Sequence, residues 1–203
     1  IYPIVMGWQW GGGWLAEIGF SDFAGSTLVH STGGAAALAG IILLGARNGR
    51  FDSAGNPKAL KPFAASSIPL VTIGVFILWL GWFGFNGGSQ LALGTFDDAV
   101  AISTIFINTN LAACGGVLAA AVITRLMFGK TDVIQMLNGA IGGLVAITAE
   151  PLAPSPFAAI LIGAVGGLIV VFGTKLLFNF KLDDVVGAIP AHLFAGIWGT
   201  LAV

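Results

Sequence analysis

The chain has 203 residues, a formal net charge of −1, 8% charged residues, 57% hydrophobic residues and a mean hydropathy of +0.96. A soluble domain carries about a quarter charged residues, so this composition marks a polytopic membrane protein, and its near-zero charge offers no basic surface for nucleic acid. The single Cys114 excludes a disulfide framework within the chain.

In chain order, "IYPIVMGWQWGGGWLAEIGF" has the character of the end of one span followed by a glycine- and tryptophan-rich loop at a membrane interface. Pro3 and Trp8 follow Ile1 with no basic stretch, which is not the pattern of a signal peptide. Six apolar segments come next, at about 23–45, 68–93, 99–123, 133–149, 155–174 and 184–203, each near the ~20 residues a crossing helix needs. The chain stops inside the apolar run "AGIWGTLAV". The expectation is one transmembrane domain over 1–203, truncated at both ends. Small residues recur four apart inside the spans, as at Gly139 with Gly143 and Gly163 with Gly167. In lipid this spacing lets helices approach closely, and packing accounts for it.

All eight basic residues fall in three alternate connections: Arg47, Arg50, Lys58 and Lys61, then Arg125 and Lys130, then Lys175 and Lys181. The opposite connections hold Glu17, Asp97, Asp98 and Glu150 and no Lys or Arg. By the positive-inside bias, connections 46–62, 124–131 and 175–181 are cytoplasmic and the protein is multi-pass in the inner (plasma) membrane. The acidic outer face has two readings, mild attraction of cations and simple solubility.

"DFAGSTLVHSTGG" from Asp22 and "DVVGAIPAHLFAG" from Asp184 share the pattern Asp-x2-Gly-x4-His-x3-Gly. The copies contain both histidines of the chain, His30 and His192, and lie five spans apart, so they cross in opposite directions. That is the signature of an inverted-topology repeat, whose paired elements meet near the midplane. Each histidine stands about 12 Å along a helix from its aspartate, at about 1.5 Å per residue. Intramembrane ionisable groups mark substrate or proton pathways. Two imidazoles fall short of a metal site, and no nucleophile set points to an enzyme. Asp22 and Asp184 stand at helix starts, where a carboxylate can cap free N–H groups. Pro190 has two readings, a freed carbonyl lining a cavity or a packing kink.

"DFAGSTLVHSTGGAAALAG", "LGWFGFNGGSQLAL", "NGAIGGLVAITAEPLAPSP" and "DDVVGAIPAHLFAGIWGTLAV" closely resemble the bacterial ammonium transporters of the Amt/Mep/Rh superfamily, Amt branch, in order over essentially the whole chain. The resemblance implies an all-α helical bundle with an inverted repeat, of which this stretch holds the fifth to tenth of eleven spans. It implies a homotrimer with a pore in each subunit, and no cofactor. It matches Trp10 and Ser89 to an outer recruitment site, Phe85 to one of two stacked gate phenylalanines, and His30 with His192 to the twin histidines of the conduction path. Asp22 matches a supporting acidic residue near the outer site. It also implies contact of the cytoplasmic face with a PII-type regulatory protein, and it leaves open a sensor of the same fold coupled to a signalling domain.

The physics of the implied cargo suits those residue types. Ammonium, or its analogue methylammonium, is a small cation rich in N–H donors. A tryptophan face offers it about 0.5–2 kcal/mol of cation–π attraction, and a serine oxygen offers an acceptor. A bare cation is costly in an apolar pore, so passage as ammonia lowers the barrier. A neutral imidazole has one donor and one acceptor nitrogen and can pass ammonia along, relay a proton, or both. Taken singly, the same residues have ordinary roles: Trp10 as an interface anchor, Phe85 as core, Ser89 bonded to its own helix.

Overall fold

The structure, a computed structural model, describes residues 1–52 and 63–203; Lys58 and Lys61 lie outside the described residues. Two short helices, α1 (Tyr2–Gln9) and α2 (Trp14–Glu17), precede α3 (Ser26–Leu44). Then come α4 (Ile68–Gly88), α5 (Phe96–Phe128), α6 (Val133–Ile147), α7 (Pro156–Asn179) and α8 (Ile189–Leu201). The six expected segments are all present as helices. Among the described residues, only α3, α4, α5 and α7 are long and apolar enough to cross a membrane by themselves. At 15 residues, α6 rises about 22 Å, short of the ~30 Å hydrocarbon core.

The starts follow from capping. Ser67 accepts from Leu70 N–H, Asp132 from Gln135 and Ser155 from Ala158. Thr95 and Asp98 cap each other's backbone N–H at the start of α5. Such caps contribute about 1 kcal/mol each.

α5, α6 and α7 form the packed centre, and glycine makes it possible. A Cβ on Gly163 or Gly143 would run into the Ala112 carbonyl of α5; one on Gly139 or Gly167 would run into that of Gly116. The two small-residue pairs legible in the sequence therefore grip the same two carbonyls of α5 from opposite sides. With no hydrophobic drive between helices in lipid, close van der Waals approach of this kind holds a bundle together.

α6 stops short because other backbone completes it. Its terminal carbonyls at Thr148 and Ala149 accept from Ala24 and Phe23 N–H at 3.0 and 2.7 Å, and Val145 O accepts from Ser26 Oγ at 2.5 Å. Non-helical backbone at membrane depth survives only where protein covers and satisfies it, and here both sides of the break are satisfied by each other.

α3 and α8 pack antiparallel. Thr27 bonds Thr200 and Ser31 lies under Leu193 and Gly196, while a Cβ on Gly34 would strike the Leu193 backbone. Their starts share one construction. Asp22 accepts from Gly25, Ser26, Thr27 and Leu28 N–H at 2.8–3.0 Å. Asp184 accepts from Gly187, Ala188 and Ile189 at 2.8–3.0 Å. Gly25 and Gly187 have φ of +113° and +77°, a turn that a side chain would strain. Each helix then opens with a wide π-helical stretch, Ser26–Ser31 and Ile189–Phe194, before tightening to α. Such wide turns concentrate at functional sites. The sequence placed Pro190 inside a helix, where it would disturb the winding. Because α8 begins at Ile189, Pro190 instead sits in the first turn, where a missing N–H costs nothing.

Arg47 and Arg50 meet Asp183, and Asn138 near the start of α6 donates to Val186 O. Arg47 and Arg50 thus lie at the same end of the bundle as the turn before α8. Asp183 is 2% exposed at its side chain. Hydrogen bonds from Arg47 hold its carboxyl at about 2, below the usual 3.8. A depressed carboxyl stabilises the fold above its unfolded value and loses that contribution as pH falls through the folded one. Thermal stability in detergent is expected to fall as pH drops from about 4 to about 2, and Asp183→Asn to flatten that part of the profile. An unchanged profile in the variant refutes this.

Candidate functional site

The wide first turns of α3 and α8 bring the two histidines together. His30 Nδ1 and His192 Nδ1 are 3.3 Å apart, with ring centroids 5.3 Å apart and planes at 28°. One nitrogen of the pair must donate and the other accept, so the rings hold opposite tautomers. His30 Nε2 is buried and has no protein partner. Beside the pair lies a cavity of about 170 Å³, lined by His30, His192, Gly33, Gly34, Ala37 and Ala188. Val29 completes the lining, and apart from the imidazoles the walls are apolar. A water-sized molecule claims about 30 Å³ in the liquid, so the cavity has room for a small polar cargo.

An aromatic stack covers the other face of His30. Trp82 lies parallel to it at 4.9 Å and 18°, and Phe85, one helical turn on, lies at 5.4 Å and 37°. Trp82 is held by a buried polar chain: its Nε1 donates to Thr148 Oγ1 at 2.9 Å, Thr148 adjoins Asn86 Oδ1 at 3.1 Å, and Asn86 Nδ2 donates to Thr109 at 3.0 Å. Trp82 and this chain are absent from the residues singled out in the sequence. The signal was there: "WFGFN" sets Trp82, Phe85 and Asn86 three and four apart, on one side of α4.

Thr148→Val keeps the shape and removes the acceptor, leaving the buried indole N–H unpaired at a cost of about 1–3 kcal/mol. The expected result is a lower melting temperature in detergent, with Thr148→Ser close to the parent. Equal melting of the Val and Ser variants refutes it.

At the Asp22 end, Trp10 Nε1 donates to Asp22 O at 2.9 Å, and its ring sits 3.2 Å from where a Cβ on Gly25 would stand. Trp10 is 41% exposed as a residue. Asp22 is 1% exposed and all its bonds run to backbone N–H. It builds the helix start and presents no carboxylate to the outside. Ser89 Oγ donates to Phe85 O at 2.8 Å within α4, which leaves its oxygen able to accept. Among the described residues, no hydrogen bond or ring contact links Ser89 to Trp10. The structure therefore joins His30, His192 and Phe85, joins Trp10 to Asp22, and leaves Ser89 on its own helix. Among the described residues, no three His, Cys, Asp or Glu come together as metal ligands.

The family model described as "Ammonium Transporter Family" matches residues 1–203. The chain belongs to the ammonium transporter family. Among the family's members, Ammonium transporter Amt2 of Archaeoglobus fulgidus is 46% identical over 213 residues, covering 100% of this chain and 44% of that protein. Ammonium transporter 1 member 1 of Arabidopsis thaliana is 37% identical, covering 99% and 43%. A structure titled "Sensor Amt Protein" superposes with a TM-score of 0.90 at 37% identity, covering 98% of this chain and 49% of that one. Mep2 of Candida albicans superposes at 0.85 and 32%, covering 98% and 42%. The chain spans about half the length of the curated relatives it matches. It is thus part of an all-helical, multi-pass membrane fold from a family of transporters.

Proposed function

We propose that this chain carries one half of the conduction path of an ammonium transporter. Ammonium is recruited at Trp10 with the Ser89 oxygen as acceptor, gives up a proton, and passes Phe85 as ammonia. His30 and His192 then hand it along. The observation that carries this reading is the contact of the only two histidines, back to back beside a small apolar cavity, with His30 Nε2 unpartnered. An unpaired buried imidazole nitrogen is costly in an apolar wall, and a cargo with both N–H donors and a lone pair would satisfy it. Potassium has no proton to shed and would find nothing here to replace its hydration shell.

In the same reading the protein lies in the inner membrane with connections 46–62, 124–131 and 175–181 on the cytoplasmic side, where a PII-type protein can dock. It assembles as a homotrimer. The test is uptake of labelled methylammonium by cells that lack their own ammonium transporters and express the full-length protein. Uptake that unlabelled ammonium competes away is the expected result. The similar structure titled as a sensor supports a second reading, ammonium sensing coupled to a signalling domain. Correct insertion with no uptake favours that one.

A further inference from the structure

The contacts between α3 and α8 are close, and several are made by small groups: a threonine pair, a serine hydroxyl and two glycines. A slide of one helix along the other by an ångström or two would carry the imidazoles out of hydrogen-bond range. A stiffer connection exists at the basic end. Arg47, three residues past the end of α3, donates to Asp183 from its backbone N–H at 3.0 Å, from Nε at 2.7 Å and from Nη2 at 2.9 Å. A bidentate fork fixes direction as well as distance. Arg50 Nε lies 3.3 Å from the other carboxylate oxygen, and its guanidinium is surrounded by the rings of Phe51, Phe63 and Phe178 at 5.2–5.6 Å. The next residue, Asp184, holds the N–H groups of Gly187, Ala188 and Ile189. A shift of Asp183 is thereby passed to the first turn of α8, three residues before His192.

We propose that Asp183 is a positioning residue: its clamp on Arg47 holds α8 in register on α3 and keeps His30 and His192 within reach of each other. The proposal rests on the reading of those histidines as the conduction pair. Breaking an ion pair whose carboxylate is buried weakens any fold, so uptake alone cannot tell positioning from stability. The register itself has to be read.

Thr27 and Thr200 face each other across the two helices, hydroxyl to hydroxyl at 2.5 Å. In the full-length protein with Cys114→Ala, Thr27→Cys and Thr200→Cys provide a disulfide whose yield, under a mild oxidant in native membranes, reports the register. High yield is expected in this parent. Asp183→Asn is expected to lower the yield at least threefold, with methylammonium uptake falling alongside. Arg47→Lys keeps the charge and loses the fork; it should give a smaller loss of both, and it decides the matter if Asp183→Asn fails to reach the membrane. Arg47→Asp combined with Asp183→Arg is expected to recover yield and uptake. Unchanged cross-linking in Asp183→Asn or Arg47→Lys at normal membrane levels overturns the proposal. A parent that cross-links but takes up no methylammonium sinks the conduction reading, and the yields still judge the clamp.

Discussion

Replacing either His30 or His192 with alanine is expected to cut competable methylammonium uptake by about 10²-fold, the lower end of what a positioned proton-transferring group contributes. The argument rests on the pairing. Each ring's Nδ1 is committed to the other, so loss of His192 leaves His30 with both ring nitrogens unpaired, and loss of His30 leaves His192 with no fixed tautomer. His30 also fills the space between Trp82, Phe85 and His192, and its removal opens a gap along an apolar wall. That gap admits water, which weakens discrimination against other cations. Groups that act as a unit do not add, so the double variant should be little worse than either single one. Uptake and preference over potassium are measured in cells with equal membrane levels of each protein. Both single variants matching the parent in rate and selectivity would falsify the mechanism.

Much of this site was legible in the sequence, and for identifiable reasons. The Asp-x2-Gly-x4-His-x3-Gly pattern encodes the helix start at each aspartate, the left-handed turn at Gly25 and Gly187, and the close crossing at Gly34 and Gly196. Symmetry then put the histidines at similar depths in the membrane, and the structure brings their rings into contact. Charge alternation foretold that connections 46–62 and 175–181 share an end, though not that Arg47 and Asp183 grip each other. What a hydropathy profile cannot show is where an apolar segment stops being helix. Residues 184–188 look like span and are a capped turn, which is why Pro190 was misplaced. In the same way α4 leaves the helix after Gly88, with Leu91 at φ +60°, although the expected segment runs to 93. Trp82 escaped notice because its importance lies in a ring stack and in an indole bond to Thr148, 66 positions away. No local pattern carries that pairing.

Asp22 separates a structural role from a direct one, and its replacement should have the other large effect. The side chain is 1% exposed and satisfies four successive N–H groups. Hydrogen bonds to a charged acceptor are worth about 1.5–3 kcal/mol each, and although the four do not add in full, about 4 kcal/mol is a modest expectation. At about 2–4 °C per kcal/mol for a domain of this size, Asp22→Ala should lower the melting temperature in detergent by roughly 10 °C, or keep the protein out of the membrane. Asn is no substitute. Its oxygen can serve Gly25 and Ser26, but its amide would point donors at the N–H groups of Thr27 and Leu28. Asp184→Ala, with three N–H groups in place of four, should cost somewhat less. Trp10 would suffer too, because its indole bonds the Asp22 carbonyl and the loop that carries both would loosen. Uptake should therefore fall in step with stability across Asp22→Asn, Asp22→Ala and Asp184→Ala. If Asp22→Ala instead melts within a few degrees of the parent while uptake is lost, the carboxylate acts on the cargo itself, and its four backbone bonds are not what it is there for.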